Sequence, residues 1–507
     1  MNYNVVIIVM DALKAESVGA IQDEDDKNLT PNLDRLASGS AVFNNAFTSI
    51  TMTDPAVTSL QTGKHPLAHG VVNHGRFVTG SEKAQISGTP QLPSILSDTG
   101  YHTVKLGRPL GRWHKEGFDI YPEFGERRGQ IQTSRKRKFY NKIKHISPTA
   151  ANHARKLYRH IQTDSLGDSD RKVGVGKDET NDADRVLERF QTLLAEENTP
   201  FYHFIHLMDT HNSRTVGEEI VKMNFERFEY PEISFEEILS MYPQGSETRN
   251  KLLQTRADYD DVLDWWNPDE DSWSALEMAH YDATVQEADA RINNFIEELK
   301  SQDEWNTTLF IVLSDHGNTA FTQNEYRLRH SVYDSAIRIP LIINTPEDFF
   351  GTYDNLVQIT DIAPTVLDYV DTCNTLSADG ESLRPIIESS GSVEREAVLV
   401  QESYAQCVRA LRTKNRKLVY PYKEPNICRL CDIEHVSGPL LFHIDKDPDE
   451  TRSVLTDNDD EATDLMTFAT ELESQFSQSS KADPESTEEV YEDEEELYDQ
   501  LDALGYR

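Results

Sequence analysis

Cysteine is scarce: four in 507 residues, at Cys373, Cys407, Cys428 and Cys431, all in the last third of the chain. That excludes a disulfide framework as the source of stability. Long apolar runs are also missing. No stretch reaches the roughly 18 residues that a membrane-spanning helix needs, and no basic-then-apolar targeting segment opens the chain, so a soluble cytoplasmic protein is expected. Positive charge is in short supply, with 50 Lys and Arg against 88 Asp and Glu and a formal net charge of -38. A field of that sign repels a polyphosphate backbone and excludes a general nucleic-acid binder. The same carboxylate excess suits a halophilic protein, because concentrated salt screens self-repulsion. Stability that rises with KCl concentration is the signature that checks this expectation.

Hydrophobic residues make up 37% of the chain, enough for a globular fold over most of its length, and the length favours one large domain with a smaller one. Val5 to Met10 (VVIIVM) is a short β-branched apolar run, which reads as a parallel strand covered on both faces. Two more such runs are Phe201 to Met208 (FYHFIHLM) and Thr308 to Leu313 (TLFIVL). Each run ends on polar residues: Asp11, then Asp209 with His211, then Asp315 with His316. Between them lie stretches with apolar residues at helical spacing, such as Thr180 to Leu194 and Ala275 to Lys300. Strands alternating with helices give an α/β fold with a mostly parallel sheet, in which ligands bind beyond the carboxyl ends of the strands. Taken singly, an aspartate after a strand caps the next helix. Three strands ending alike favour convergence of Asp11, His211, Asp315 and His316 on one site.

The pattern divides the chain into a large α/β domain over 1–355 and a subdomain over 356–476 with a small antiparallel sheet. That sheet is read from Val398 to Gln401, Val408 to Arg412, Lys417 to Tyr420 and Leu440 to Ile444, with a helix at Ile362 to Val370. An acidic linker over 477–489 and a docking helix over 490–507 follow, the latter from Leu497, Leu501 and Leu504. One segment, about 127–160, is basic (RRGQIQTSRKRKFYNKIKHI, then ARKLYRHI). It reads as a charged solvated helix, or as a docking patch for an anionic substrate or an anionic membrane surface. Cys428 and Cys431 form a CxxC with His435 nearby, either a reduced hairpin or part of a zinc site.

Transfer of a phosphate or sulfate group asks for a deprotonated nucleophile and neutralised oxyanions, and one divalent ion serves both needs. A threonine hydroxyl becomes competent when a metal lowers its pKa. The stretch Thr53 to Val71, TDPAVTSLQTGKHPLAHGV, resembles the nucleophile signature of the sulfatase family, within the alkaline phosphatase-like superfamily. The matching pieces are Pro55, Leu60, Thr62, Gly63, Pro66, His69 and Gly70, with Thr53 on the nucleophile position. The resemblance continues in order through VVIIVMDALKAESVGA, TPNLDRLASGSAVFNNAF, LPSILSDTGYHTVKLG, FIHLMDTHNS, LFIVLSDHGN, SVYDSAIRIPLII and ITDIAPTVLDYV.

That resemblance implies a metal-dependent hydrolase or transferase. It puts ligation of one divalent ion (manganese, calcium, magnesium or zinc) on Asp11, Thr53, Asp315 and His316. His211 matches the histidine that contacts the transferring group or protonates the leaving oxygen. Arg108 falls where the family has the lysine of its GKWH motif, with GRWH at Gly111 to His114 as a competing alignment. Arg329 and His330 match the region that supplies another cation to the substrate, as would His114. The departures carry as much weight. Threonine cannot be converted to the formylglycine aldehyde of active sulfatases, so none is expected. Ala56 and Val57 stand where the signature arginine belongs, and Ala12 stands where a second aspartate would follow Asp11. These departures move the expectation toward phosphodiester or phosphoryl transfer, with formylglycine-free sulfate-ester hydrolysis and non-catalytic anionic-glycan binding as alternatives. The substrate class is a small-molecule, glycan or lipid-head-group ester.

Overall fold

The computed structural model describes residues 3–22, 27–108, 110–122, 183–197, 199–211, 216–260, 263, 265–267, 271–319, 331–372, 376–389, 394–455 and 459–478. Among them, seven strands form one sheet: β1 (Asn4–Met10), β2 (Ala41–Phe47), β3 (His102–Gly107), β4 (Phe201–Leu207), β5 (Thr308–Ser314), β6 (Leu341–Asn344) and β7 (Gly351–Gln358). Their order is β3-β4-β1-β5-β6-β2-β7. All neighbours pair parallel except β6, which runs antiparallel to both β5 and β2. The expected mostly parallel sheet is therefore what the chain builds.

β1 is central because both its faces are apolar. Val5, Ile7 and Val9 enter one core with the helices Thr53–Thr62, Leu92–Asp98 and Ile362–Tyr369. Val6, Ile8 and Met10 enter the opposite core with Pro31–Ala37, Ala183–Glu196 and Trp273–Ser301. Strand side chains alternate sides, so a run without polar residues is stable only when helices cover both faces. All six are fully buried, each contributing roughly 1.5–3 kcal/mol relative to exposure.

The second sheet is antiparallel, in the order β11-β10-β9-β8, from β8 (Ala397–Glu402), β9 (Val408–Thr413), β10 (Arg416–Pro421) and β11 (Leu440–His443). One face, with Val400, Ala410 and Val419, packs on Phe47 and Ile337 of the large sheet's side. The other, with Leu411, Leu418 and Leu441, packs on the helix Asp459–Gln478. The boundary expected between 355 and 356 falls inside β7, and the helix Ile362–Tyr369 packs in the large sheet's core. The apolar residues of 356–387 thus serve the larger body. Helix Asp459–Gln478 runs through Ser477, the expected start of the acidic linker. The rest of that linker, the terminal docking helix and the basic segment lie outside the described residues. No described helix is long and apolar enough to cross a membrane.

His65 ties that last helix to the large domain. Its ring is buried and stacks on Phe476 at 4.4 Å. Nδ1 accepts the N–H of Leu67, and Nε2–H donates to the Leu399 carbonyl. Both nitrogens are satisfied only in the neutral ring. Burial pushes its pKa down from 6.5 to about 3. The folded state therefore binds fewer protons than the unfolded chain between those values. Stability from this group is complete above pH 6.5 and is lost as pH falls toward 3, at about 1.4 kcal/mol per unit. Guanidinium melts at pH 6.5 and 5 should show His65→Gln losing roughly 1–2 kcal/mol less than the parent chain on acidification. Equal losses would remove His65 from the acid response.

Candidate active site

The carboxyl ends of β1, β4 and β5 lie side by side, with Met10 paired to Leu207 and to Ser314. This register brings the next residues together. Asp11 and the pair Asp315–His316 meet with their ligand atoms within 4.8 Å of one another, all three residues buried. Thr53 opens the helix Thr53–Thr62, whose ten residues are all buried. Its Oγ1 lies 3.3 Å from Asp11 Oδ2 and 3.5 Å from His316 Nε2. The positive dipole end of this helix lies at the same place, a favourable setting for an oxyanion. The helix is closed by Gly63 in the left-handed region at φ 67°, where a Cβ would come within 2.8 Å of Ala378.

Supporting contacts fix each group. Asp315 Oδ1 accepts the backbone N–H of Ala12 at 3.1 Å and of His316 at 2.9 Å. Ala12 holds φ 62°, a strained setting for alanine that is over-determined by that bond and by the Tyr281 hydroxyl donating to its carbonyl at 3.0 Å. His316 Nδ1 donates to the Gly317 carbonyl at 2.8 Å, which leaves the Nε2 lone pair facing Thr53. Thr210 Oγ1 donates to the Asp11 carbonyl at 2.6 Å.

His211 Nε2 stands 3.6 Å from Asp11 Oδ1, and His206 Nε2 stands 3.2 Å from Asp11 Oδ2. Burial alone would raise the Asp11 carboxyl, but the charges of His211, His206 and His316 hold it well below the usual carboxylate range. Among the described residues, neither Asp11 Oδ1 nor Asp315 Oδ2 has a hydrogen-bond donor in reach, although both are buried. Two buried carboxylates facing one another at this cost call for a cation. Hard oxygen donors with one imidazole fit a divalent metal.

The other expected site residues are placed differently. Arg108 follows β3 directly and is buried, its Nη1 3.3 Å from the Met208 sulfur. His114 lies by Asp54, its Nε2 3.5 Å from Asp54 Oδ1, rather than in the Asp11 cluster. Asp209 points away and pairs with Arg291. Arg329 and His330 lie outside the described residues.

Three residues escape a reading based on strand ends alone. His206, like His203 in the same strand, is a fully buried histidine in β4; His203 turns to Glu197 and His206 to Asp11, and only the fold separates them. Lys105 is buried in β3, with Nζ donating to the Leu106 carbonyl at 3.2 Å and lying 4.8 Å over the Phe204 ring. Burial and the Arg108 charge hold its pKa well below the usual lysine value. Asp54, next to Thr53, takes the Gly75 N–H at 2.7 Å and lies 2.8 Å from His74 Nδ1. Burial would raise its carboxyl; His74 and His114 hold it well below the ordinary range.

Comparisons with known proteins find relatives along most of the chain. A family model described as Sulfatase covers residues 3–372, and one described as N-sulphoglucosamine sulphohydrolase, C-terminal, covers 325–480. An arylsulfatase of Clostridium perfringens is 23% identical over 448 residues, 80% of this chain and 82% of that protein. An N-acetylglucosamine-6-O-sulfatase of Bacteroides thetaiotaomicron is 22% identical over 460 residues, 80% of this chain and 76% of that protein. Among solved structures, a protein in complex with its substrate D-glucosamine-2-N,6-O-disulfate aligns over 96% of this chain and all of its own (TM-score 0.66, 19% identity). The phosphonate monoester hydrolase of Agrobacterium radiobacter aligns over 94% of this chain and 96% of its own (TM-score 0.61, 18% identity).

Proposed function

The chain belongs to the sulfatase family, and on that premise we propose that it is an ester hydrolase or transferase that uses Thr53 as nucleophile and favours phosphoryl over sulfuryl groups. The observation that carries this reading is the Thr53 hydroxyl, buried at a helix N-terminus and 3.3 Å and 3.5 Å from Asp11 and His316. In this reading one divalent ion is held by Asp11, Asp315, His316 and the Thr53 oxygen. Such an ion supplies Lewis acidity that lowers the hydroxyl's pKa and neutralises the oxyanions of the transferring group.

The chain's own groups do the rest. Thr53 Oγ1, its proton given up to solvent water, bonds to the phosphorus or sulfur as the bond to the ester oxygen breaks. His211, on the far side of Asp11, gives that leaving oxygen a proton. Water, or an acceptor alcohol in a transferase, then attacks the threonine ester, releasing the group and restoring the hydroxyl. The Thr53 helix N-terminus faces the developing negative charge, and Arg108, which lies on the Met208 sulfur, would have to turn from it to join. Asp54, kept anionic by His74 and His114, braces the backbone beside Thr53.

The preference for phosphorus follows from the residue type. A formylglycine sulfatase expels sulfate by collapse of its hydrated aldehyde. A threonine ester has no such exit and must be attacked at the central atom, which suits phosphorus better. Sulfate-ester hydrolysis is the second reading, supported by the relatives named as sulfatases and by the glucosamine disulfate complex of a structural neighbour. Mass analysis of the Thr53 peptide after brief exposure to phosphodiesters and to sulfate esters tests the proposal. A phosphate adduct on Thr53, with faster turnover of aryl phosphodiester than of aryl sulfate, is expected. A sulfate adduct with the reverse rates would transfer the assignment to sulfur, and no adduct with either would remove the covalent step.

A further inference from the structure

Residues 422–439 connect β10 to β11 without a helix or strand of their own. Connections of that length inside a compact body need something to hold them. At its centre Cys428, Cys431 and His435 bring their ligand atoms within 4.8 Å of one another, with both cysteines fully buried. The turn has the form of a metal knuckle. The Asp432 N–H donates to the Cys428 carbonyl and the Cys428 N–H to the Ile433 carbonyl, both at 2.8 Å, and Asp432 takes φ 56° to close it. Thr248 Oγ1 lies 3.2 Å from the Cys431 sulfur. No disulfide joins these cysteines.

We propose that Cys428, Cys431 and His435 bind a structural zinc ion that clips this connection onto the helical layer of the large domain. Two sulfurs and an imidazole at this spacing suit zinc over the hard cations favoured by carboxylates. These side chains supply three of the four positions of a tetrahedral zinc. The clip fastens two bodies: Thr248, in the helix Glu247–Asp260, donates its N–H to the Leu430 carbonyl at 3.0 Å, and the cysteines pack among Tyr259, Trp266 and Trp273.

The same clip supports the candidate active site from outside. Arg429, inside the CxxC, lies 3.6 Å over the Tyr404 ring and 4.6 Å over Phe77. Tyr404 meets His74 edge-on at 6.5 Å, and His74 holds Asp54 beside Thr53. Loss of the ion would loosen that wall while leaving the Asp11 cluster in place.

Metal analysis of the full chain, purified without chelators from zinc-supplemented medium, tests the proposal. A mercurial thiol reagent should release about one equivalent of zinc to a chromogenic chelator, and Cys431→Ser should retain about tenfold less. Cys407→Ser, outside the cluster, should keep its zinc. Asp315→Asn should keep it as well, so the failure of this site and the failure of the catalytic reading are separately visible. Thiol-releasable zinc absent from the parent chain, or unchanged in Cys431→Ser, would overturn the proposal. Should Cys431→Ser not fold, cobalt substitution of the parent chain decides: a near-ultraviolet thiolate-to-cobalt band supports the site, and its absence removes it.

Discussion

Replacing Thr53 by alanine should lower kcat by about 10⁴-fold or more while leaving the fold in place and the ion on its other three ligands, because loss of a covalent nucleophile removes the whole two-step route. The side chain is a small part of the structure. Among the described residues its hydroxyl meets Asp11 Oδ2 at 3.3 Å and His316 Nε2 at 3.5 Å, both long for hydrogen bonds. Asp11 and Asp315 keep their other contacts, so the thermal midpoint should hardly move. Thr53→Ser keeps the hydroxyl at the first position of the same helix and should recover within about tenfold of the parent rate. That rescue separates a nucleophile from a packing residue, since serine loses the methyl and keeps only the oxygen. Kinetics on an activated aryl phosphodiester, with metal content measured on the same samples, gives the readout. Alanine within tenfold of threonine would exclude Thr53 as nucleophile, whatever the metal content.

The parts of this site that were legible in sequence are those set by strand ends. Asp11, Asp315 and His316 each follow an unbroken apolar run, and parallel register alone brings such positions together. Thr53 was legible through the spacing of its signature. What was hidden depends on which way a side chain turns. Asp209 and His211 end the same strand, yet Asp209 turns to Arg291 and His211 to Asp11. His206 and Lys105 sit inside strands, where periodicity places them in the core and nothing local says that they border a cluster of charge. The choice between Arg108 and the GRWH stretch also needed three dimensions. The chain turns after β3, which puts His114 on Asp54 and leaves Arg108 at the strand end beside Met208. In the fold, the reversed direction of β6 and the place of β7 in the large sheet were invisible for a related reason. Short strands record burial in their sequence, not the partner they pair with.

Asp334→Asn should cost about 3–5 kcal/mol of stability and also lower activity, although Asp334 touches no group assigned to catalysis. Asp334 stands where the two sheets meet. It receives the fully buried Lys417 ammonium from β10 at 2.9 Å and the Arg412 guanidinium from β9 at 3.0–3.2 Å. Burial would raise its carboxyl, but Lys417 and Arg412 outweigh that and hold it well below the ordinary range. Lys417 also pairs with Glu450 at 2.7 Å, and burial brings the Glu450 carboxyl up to about 7. The asparagine variant leaves two buried cations with only Glu450 to answer them. Removing one member of such a group is expensive because the remaining charges have lost their compensation, whatever the intact network contributes. The consequence for activity comes through the backbone. Ser335 and Ala336, next in sequence, accept the N–H groups of Asn318 and Gly317 at 2.9 and 2.8 Å. Gly317 in turn accepts from His316 Nδ1 and so orients the ring that faces Thr53. Loosening Asp334 therefore loosens His316, and weaker metal retention should accompany the lost stability. Guanidinium melts monitored beside metal content check both parts. A variant that is destabilised but keeps its metal and its rate would show that the sheet junction and the site are mechanically independent.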